Sequence, residues 1–225
     1  MKKLLAAIIA AALLLSGCSL SSRPAVSAPP AETPSPSPTP IVTPTPAPEP
    51  SDDELVLVRD YIPGIFIDLK YATTDNFTGQ VIYDSDEAYL RYGTVKKLLA
   101  AQNELSGRGL SLKIWDAYRP VSAQFKLWEI CPNPVYVSDP NNGYSKHSRA
   151  NTVDITLVTS TGESIPMPSG FDDFTSLADR DYSDVYAEAA ENARLLESIM
   201  VENGFVPYSG EWWHYSDSVS YDVYG

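Results

Sequence analysis

The sequence predicts an α+β domain in which an antiparallel sheet packs against two or three helices. Short segments of alternating apolar and polar residues indicate strands, and longer segments with helical spacing of apolar residues indicate helices. The two kinds of segment do not alternate in the regular βαβ order of a parallel sheet. The domain is expected to occupy residues 53–225, a length that can bury one hydrophobic core.

An export signal is predicted over residues 1–18. Lys2 and Lys3 precede an apolar run from Leu4 to Leu15 that is too short to remain as a membrane span, and the segment ends in Leu15-Ser16-Gly17-Cys18. This ending resembles the lipobox of bacterial lipoproteins, which implies that Cys18 is lipidated. We therefore expect a lipid-anchored, extracytoplasmic protein that contacts the membrane only through this anchor.

Residues 19–52 form a predicted tether. Their composition is dominated by Pro, Ser, Thr and Ala, as in "PSPSPTPIVTPTPAPEP", and is too poor in large apolar residues to form a core. The prolines favour an extended polyproline conformation. The segment is expected to hold the domain away from the membrane.

The first half of the domain supplies extended segments and two helices. "ELVLVRDYIPGIFIDLKYA" contains two short extended stretches separated at Pro63-Gly64, and the spacing of Leu90, Leu98 and Leu105 predicts a helix that ends at Gly107. A strand is predicted in "LSLKIWDAYRP". It is followed by a second helix in "VSAQFKLWEI".

The second half begins with a predicted hairpin and ends with a helix and a strand. "NTVDITLVTSTGESIPM" alternates around a turn at Thr161-Gly162, which sets Asp154 on the face opposite its aliphatic residues. The strongest helix follows, with Ser183 as its N-cap and Gly204 at its end; its apolar stripe comprises Val185, Ala189, Ala193, Leu196 and Met200. A last extended segment holds "EWWHYS".

Charge and cysteine content restrict the possible functions. The formal net charge of −13 argues against nucleic acid as a partner, because nucleic acid requires clustered Lys and Arg. With Cys18 lipidated, Cys131 has no cysteine partner within the domain and is expected to be a buried or half-buried residue. The oligomeric state is left open.

Both histidines of the chain lie in short polar motifs that also carry a carboxylate. His147 and Asp154 lie in "YSKHSRANTVDITL", and His214 lies in "GEWWHY". Two imidazoles and one carboxylate are a common ligand set for catalytic zinc, which keeps a fourth position open for water. Zinc is therefore the expected cofactor, with cobalt and manganese left open.

Glu211 and Arg119 are the predicted catalytic residues beside this metal site. A carboxylate near a metal can act as general base, but residues 211 and 214 face opposite sides of an ideal strand. Glu211 must therefore lie in or just after the Ser209-Gly210 turn, or else it is a solvent-facing residue. Arg119, in "WDAYRP", is placed to stabilise an oxyanion, although an Arg before a Pro often forms a structural ion pair.

These motifs together resemble the D-alanyl-D-alanine dipeptidases, zinc enzymes related to D-alanyl-D-alanine carboxypeptidases and to the metal-binding fold of Hedgehog domains. The resemblance covers nearly the whole domain, from "DLKYATTDNFTGQVIY" through "WDAYRP", "SKHSRANTVDITL" and "MPSGFDDF" to "GEWWH". It implies an antiparallel α+β metallopeptidase fold and hydrolysis of the dipeptide D-Ala-D-Ala.

The resemblance also implies a role for each site residue. His147, Asp154 and His214 would ligate zinc, Glu211 would be the base, and Arg119 would stabilise the transition state. Asp172 would bind the ammonium group of the dipeptide, and Ser145, two positions before His147, would contact the substrate. Asp173, the neighbour of Asp172, remains a competitor for the ammonium-binding role.

One departure from the family pattern and one aromatic pair also bear on the site. Ala150 stands where the family usually has glycine after the metal histidine; a positive φ there would strain the loop by about 1 kcal/mol or more. Trp212 and Trp213 are expected to wall the pocket or to pack in the core behind His214.

Two other functions are compatible with the same residues. A D,D-carboxypeptidase would trim D-Ala from peptidoglycan stem peptides and must leave room for an acylated N-terminal side. A non-catalytic metal-containing module could bind the cell wall, but such a module needs neither Glu211 nor Arg119. The dipeptidase is therefore the preferred prediction.

Overall fold

The computed structural model describes residues 48–225. The predicted signal segment, Cys18 and the tether as far as residue 47 lie outside the described residues. Among the described residues, Glu49 accepts a hydrogen bond from the Tyr92 hydroxyl and Asp52 pairs with Lys96 at 2.6 Å, so both already contact the domain. Within residues 48–225, no helix has the length and apolar character needed to cross a membrane.

In the described part of the chain, the strands form a five-stranded sheet and a separate two-stranded pair. In chain order they are β1 (Leu55–Leu57), β2 (Phe66–Ile67), β3 (Tyr89–Arg91), β4 (Leu110–Asp116), β5 (Thr152–Thr159), β6 (Phe205–Tyr208) and β7 (Glu211–Asp217). The larger sheet has the order β2-β4-β5-β7-β6, and β1 pairs with β3. All pairs are antiparallel except β2 with β4, so the predicted α+β class is confirmed with one parallel strand at the sheet edge.

Residues 48–225 also contain four α-helices: α1 (Val58–Tyr61), α2 (Tyr92–Ser106), α3 (Val121–Ile130) and α4 (Ala187–Glu202). The two longest, α2 and α4, contact each other and the sheet. Their apolar faces are fully buried, as the exposures of 0% for Leu98, Leu105 and Leu196 show. Burial of these side chains, at about 1.5–3 kcal/mol each, fixes both helices against the sheet.

Two helix starts differ from the prediction. Leu90 belongs to β3, where it pairs with Val56, because the extended backbone of Arg91 separates the strand from α2. Ser183 is not the N-cap of α4, which starts at Ala187. Upstream of that start, Tyr182 has a φ of +57° and Asp184 accepts a hydrogen bond from Ser176 Oγ at 2.7 Å, so the backbone is held in a turn.

The predicted turns are present with small differences. Gly204 follows α4 with a φ of +85°, a conformation in which other L-residues are strained. The predicted hairpin turns at Gly162, whose N–H donates to the Thr159 carbonyl at 2.9 Å, but its return side is reduced to a single bridge between Val158 and Ser164. The long partners of β5 are instead β4 and β7, which leaves β5 at the centre of the sheet.

Candidate metallopeptidase site

His147 is held by a short 3₁₀ turn that spans Lys146–Arg149 and precedes β5. Ser145 caps this turn, with its Oγ accepting a hydrogen bond from the His147 N–H at 3.3 Å. Ala150 ends the turn in the left-handed region, with φ +58° and ψ +28°. The suspected strain at this position is therefore real, and the chain keeps the turn despite lacking the glycine.

We expect Ala150→Gly to leave the free energy of unfolding unchanged within about 0.5 kcal/mol. Relief of left-handed strain, about 1–2 kcal/mol, offsets the loss of a buried methyl group and the higher entropy of unfolded glycine. Ala100→Gly, inside α2, is the matched control and should lose about 1 kcal/mol. Urea unfolding of both variants measures the difference, and equal losses would show that Ala150 is not strained.

The ring of His147 is oriented by the backbone. Its Nδ1 lies 2.8 Å from the carbonyl oxygen of Ala117, and because a carbonyl can only accept, Nδ1 carries the proton. The other nitrogen, Nε2, then has its lone pair free and lies 3.3 Å from Asp154 Oδ2. A hydrogen bond of this kind fixes both the tautomer and the direction of a metal-binding imidazole.

Asp154 and His214 are directly opposite each other on β5 and β7. Their Cα atoms are register partners, and His214 Nδ1 lies 3.0 Å from Asp154 Oδ1. Side chains of cross-strand partners lie on the same face of a sheet, about 4.5–5.5 Å apart at Cβ. The pairing of two adjacent central strands therefore places two of the three predicted ligands side by side.

A register shift in β7 brings Glu211 to the same site. Pro207 pairs with Tyr215, whereas the next residue, Tyr208, pairs with Glu211, so one step along β6 corresponds to four along β7. This irregularity cancels the alternation that would set residues 211 and 214 on opposite faces. Glu211 Oε2 consequently lies 3.5 Å from His214 Nδ1.

His147, Asp154 and His214 fit a zinc ion. Each offers one ligand atom, and these atoms all lie within 4.8 Å of one another. Two neutral imidazoles and a carboxylate are the donor types that zinc prefers in catalytic sites. The donor set thus agrees with the zinc predicted from the sequence.

The three side chains strongly perturb one another's ionisation. Burial opposes ionisation of Asp154, but the two imidazoles outweigh it and lower its pKa. Burial also opposes protonation of His147, yet Asp154 and Asp116 outweigh it and raise its pKa, whereas for His214 burial prevails and lowers the pKa. Asp154 is therefore ionised at neutral pH, as a metal ligand must be.

Glu211 lies in a cleft beside the three ligands. The cleft has a volume of about 270 Å³, and Ser145, Lys146, Tyr208 and His214 line it with Glu211. Burial, and then the negative charges of Asp154 and Asp172, raise the pKa of Glu211 to about 8. A carboxyl group whose pKa lies near the working pH is suited to accept and release a proton.

Arg119 is buried and held in a fixed orientation. Its Nη2 and Nε donate to Asp116 Oδ2 at 2.5 and 3.2 Å, and its Nη1 donates to Gln124 Oε1 at 2.9 Å. Its backbone N–H donates to the carbonyl of His147 at 3.2 Å, which ties it to the metal-binding turn. The Arg119 Cζ also lies 5.0 Å from the centre of the Tyr71 ring.

Tyr71 links Arg119 to Asp172. Its hydroxyl donates to Asp172 Oδ2 at 2.7 Å, and Asp172 adopts a positive φ of +52°. Burial raises the pKa of Asp172 to about 7, although the Tyr71 hydrogen bond acts in the opposite direction. Asp173 instead accepts the backbone N–H of Thr175 at 3.1 Å, so it caps a local turn and Asp172 is the carboxylate next to the site.

We expect Asp172→Asn to stabilise the metal-free protein in a pH-dependent way. Because the folded-state pKa of Asp172 is raised to about 7 from an unfolded value near 4, its favourable contribution is complete below about pH 4 and is lost as pH rises through 7. Asn cannot ionise, so the variant should be more stable than wild type by about 1 kcal/mol or more at pH 8. Unfolding in EDTA between pH 5 and 8 tests this. A difference that does not grow with pH would contradict it.

The two tryptophans beside His214 pack in the interior. Trp212 and Trp213 are both 0% exposed, and Trp212 Nε1 donates to Ser169 Oγ at 2.9 Å. The aromatic ring beside His214 in the cleft is that of Tyr208, 5.7 Å from the imidazole. Core packing behind the ligand is therefore the role that the geometry supports for both tryptophans.

Sequence reasoning did not single out Asp116, Tyr71 or Tyr208. Asp116 lies in "WDAYRP" and Tyr71 in "DLKYATTDNF", two of the motifs that carry the family resemblance. The one sequence signal for Asp116 is that it is an acidic residue at the end of a strand predicted to be buried. The contacts of Tyr71 with Asp172 and of Asp116 with Tyr83 cross long sequence distances, which no local pattern reports.

A buried His-Asp-His cluster with an adjacent carboxylate and arginine, on an antiparallel α+β fold, defines a metallopeptidase site. Comparison with known proteins agrees with this class. The family model described as "D-ala-D-ala dipeptidase" matches residues 51–221. The chain belongs to this family, and it is a zinc metallopeptidase.

Individual relatives show the same relationship. The chain is 40% identical over 162 residues to the D-alanyl-D-alanine dipeptidase of Escherichia coli (strain K12), covering 72% of this chain and 83% of the relative. It is 36% identical over 174 residues to the D-alanyl-D-alanine dipeptidase of Enterococcus faecium, covering 68% and 86%. The corresponding protein of Streptomyces coelicolor (strain ATCC BAA-471 / A3(2) / M145) is 37% identical over 187 residues, covering 72% and 91%.

Proposed function

We propose that this protein hydrolyses the free dipeptide D-Ala-D-Ala. The observation that carries the proposal is the placement of Glu211 Oε2 within 3.5 Å of His214 in the same cluster as His147 and Asp154. A metal-binding module without catalysis has no use for a half-buried carboxylate next to its ligands. The relatives named above are D-alanyl-D-alanine dipeptidases, which supports the substrate.

The residues of the site divide the reaction between them. His147, Asp154 and His214 would hold zinc, which supplies Lewis-acid activation of a water molecule and of the scissile carbonyl. Glu211 accepts the proton of the attacking water and passes it to the amine of the departing D-alanine. Arg119 stabilises the negative charge that develops on the carbonyl oxygen.

Asp172 accounts for a requirement for a free N-terminus. Its partly buried carboxylate has one hydrogen bond from Tyr71 and no paired cation among the side chains of residues 48–225. The ammonium group of a dipeptide supplies that charge, whereas an acylated substrate leaves the carboxylate unpaired in a desolvated site. Selection of the free dipeptide over a wall peptide follows from this contact.

The assay that tests the proposal compares three substrates on the zinc-loaded protein. We expect D-alanine release from D-Ala-D-Ala and little release from N-acetyl-D-Ala-D-Ala or from L-Ala-L-Ala. Preference for the acetylated substrate would assign a D,D-carboxypeptidase instead. Retention of zinc without release from any of the three would assign a binding module.

We also propose that the protein is exported and held at the extracytoplasmic face of the membrane by lipid on Cys18. The support comes from the sequence: two lysines, a short apolar run and Leu15-Ser16-Gly17-Cys18, followed by the proline-rich tether of residues 19–52. Two acyl chains give stable anchoring where one is marginal. In this position the enzyme would act on dipeptide outside the cytoplasm.

We expect Cys18→Ser to abolish the lipid anchor. Cells that express the full chain would be labelled with a radioactive fatty acid and fractionated, with Cys131→Ser as the matched cysteine control. Wild type and Cys131→Ser should carry label and sediment with membranes, while Cys18→Ser should do neither. Label on Cys18→Ser would contradict the proposal.

A further inference from the structure

Asp116 is a fully buried carboxylate at the end of β4. Its exposure is 0%, although ionised groups are rarely buried without strong compensation. Ile114 pairs with Ile155, but Asp116 pairs with the very next residue of β5, Asp154, so a bulge sets Trp115 out of register. Bulges are common next to active sites, where they re-aim a side chain. This one places Asp116 beside the metal-binding strand.

All the hydrogen-bonding capacity of this carboxylate is used. Oδ1 accepts from the Tyr83 hydroxyl at 2.5 Å and from the Ala117 N–H at 2.8 Å. Oδ2 accepts from Nη2 and Nε of Arg119 at 2.5 and 3.2 Å. An ionised carboxylate offers about four lone-pair sites, so Asp116 is saturated by four donors.

Two of these donor groups connect Asp116 to functional residues of the site. One is the guanidinium of Arg119, the group that stabilises the oxyanion. The other is the Ala117 peptide, whose N–H binds Asp116 while its carbonyl accepts from His147 Nδ1 at 2.8 Å. His147 Nδ1 itself lies 3.6 Å from Asp116 Oδ2.

We propose that Asp116 is a positioning residue that aligns Arg119 with the reacting carbonyl and, through the Ala117 peptide, aims His147 at the metal. This inference rests on the proposed peptidase function. Both oxygens of Asp116 are occupied by protein donors, so its effect on the site is transmitted through these two residues. Its second partner, Tyr83, also accepts from Arg119 Nε at 3.3 Å and completes the set of groups around the guanidinium.

A structural salt bridge is the alternative, and Asp217 provides the comparison. Asp217 is also a buried carboxylate, paired with Lys97 and bonded by Thr94 Oγ1 at 2.8 Å and by the Val219 N–H at 2.7 Å. None of these partners belongs to the site. Asp217→Asn should therefore lower the melting temperature and leave kcat unchanged.

The test measures kcat and KM for D-Ala-D-Ala at saturating zinc, together with the zinc dissociation constant from chelator competition. Loss of an outer-sphere partner of a metal ligand typically reduces metal affinity or activity by 10–100-fold. For Asp116→Asn we expect kcat to fall by about 10–100-fold and the zinc dissociation constant to rise by about 10-fold, with KM within about threefold of wild type. Wild-type values for kcat and zinc affinity would overturn the proposal.

A double-mutant cycle separates positioning from a general loss of structure. If Asp116 acts through Arg119, the double variant Asp116→Asn/Arg119→Ala should be as fast as Arg119→Ala alone, within about threefold. Multiplied losses would contradict action through Arg119. If Asp116→Asn does not fold, Tyr83→Phe removes one of the four donors and should lower kcat about 3–10-fold, with the same non-additivity.

Failure of the proposed function would look different from failure of this inference. If the wild-type protein releases no D-alanine, the dipeptidase assignment is wrong. The zinc dissociation constant of Asp116→Asn then still tests the contact between Asp116, Ala117 and His147. If wild type is active and Asp116→Asn matches it in kcat and zinc affinity, only the positioning role is wrong.

Discussion

Replacement of Glu211 by Gln should reduce kcat for D-Ala-D-Ala by about 10²–10⁴-fold, the usual contribution of a positioned general base. Gln keeps the size of the side chain but cannot accept a proton. KM should change little, because the loss falls on the chemical step. Steady-state kinetics on zinc-loaded protein measure the effect.

Zinc content and a remote substitution control this result. His147, Asp154 and His214 remain in Glu211→Gln, so the variant should still bind one equivalent of zinc. Glu202→Gln, on the exposed end of α4, should retain wild-type kcat. An active Glu211→Gln would show that another group takes the proton and would leave Glu211 as a structural neighbour of the ligands.

Replacement of Asp172 by Asn should weaken recognition of the substrate ammonium group. Removing one partner of a buried, hydrogen-bonded charge pair costs about 2–5 kcal/mol, which corresponds to roughly 30–5,000-fold in kcat/KM for the free dipeptide. Asn can still accept the hydrogen bond from Tyr71, so the site should keep its shape. The weak activity on N-acetyl-D-Ala-D-Ala should stay the same or rise.

The ratio of kcat/KM for the free and acetylated dipeptides is the quantity that decides this prediction. It should fall strongly in Asp172→Asn and remain at the wild-type value in Asp173→Asn, because Asp173 only caps a local turn. If the ratio changed only in Asp173→Asn, Asp173 and not Asp172 would be the residue that binds the substrate ammonium group. An unchanged ratio in both would show that the free N-terminus is recognised elsewhere.

The sequence predicted the site better than it predicted the geometry that assembles it. Motif content identified both histidines, Asp154, Glu211 and Arg119, and the structure brings all five together. The sequence indicated that Glu211 could approach His214 only from in or just after the Ser209-Gly210 turn, and Glu211 is the first residue of β7, directly after that turn. The register shift that completes the approach depends on tertiary pairing and leaves no periodic signal. Asp116 and Tyr71 were missed for a related reason. Asp116 contacts Tyr83 and His147, and Tyr71 binds Asp172. These residues are far apart in the sequence and meet only in the folded chain.

The fold prediction failed chiefly at element ends. Leu90 fits the helical spacing of Leu98 and Leu105, yet its pairing with Val56 in a second small sheet overrides that spacing. Ser183 is a good capping residue by type, but the backbone at Tyr182 and the contact of Asp184 with Ser176 hold it in a turn. Helix and strand cores were recognisable because apolar periodicity reflects burial directly.

Titration of the metal-free protein with zinc tests the central claim, that one zinc ion held by His147, Asp154 and His214 supports hydrolysis of D-Ala-D-Ala. D-alanine release should be absent without zinc, rise linearly with added zinc and reach its maximum at one equivalent. His214→Ala, which lacks one of the three ligands, should show no linear rise in activity that ends at one equivalent of zinc. Full activity after exhaustive removal of metal, or an unchanged titration in His214→Ala, would contradict the assignment of the site.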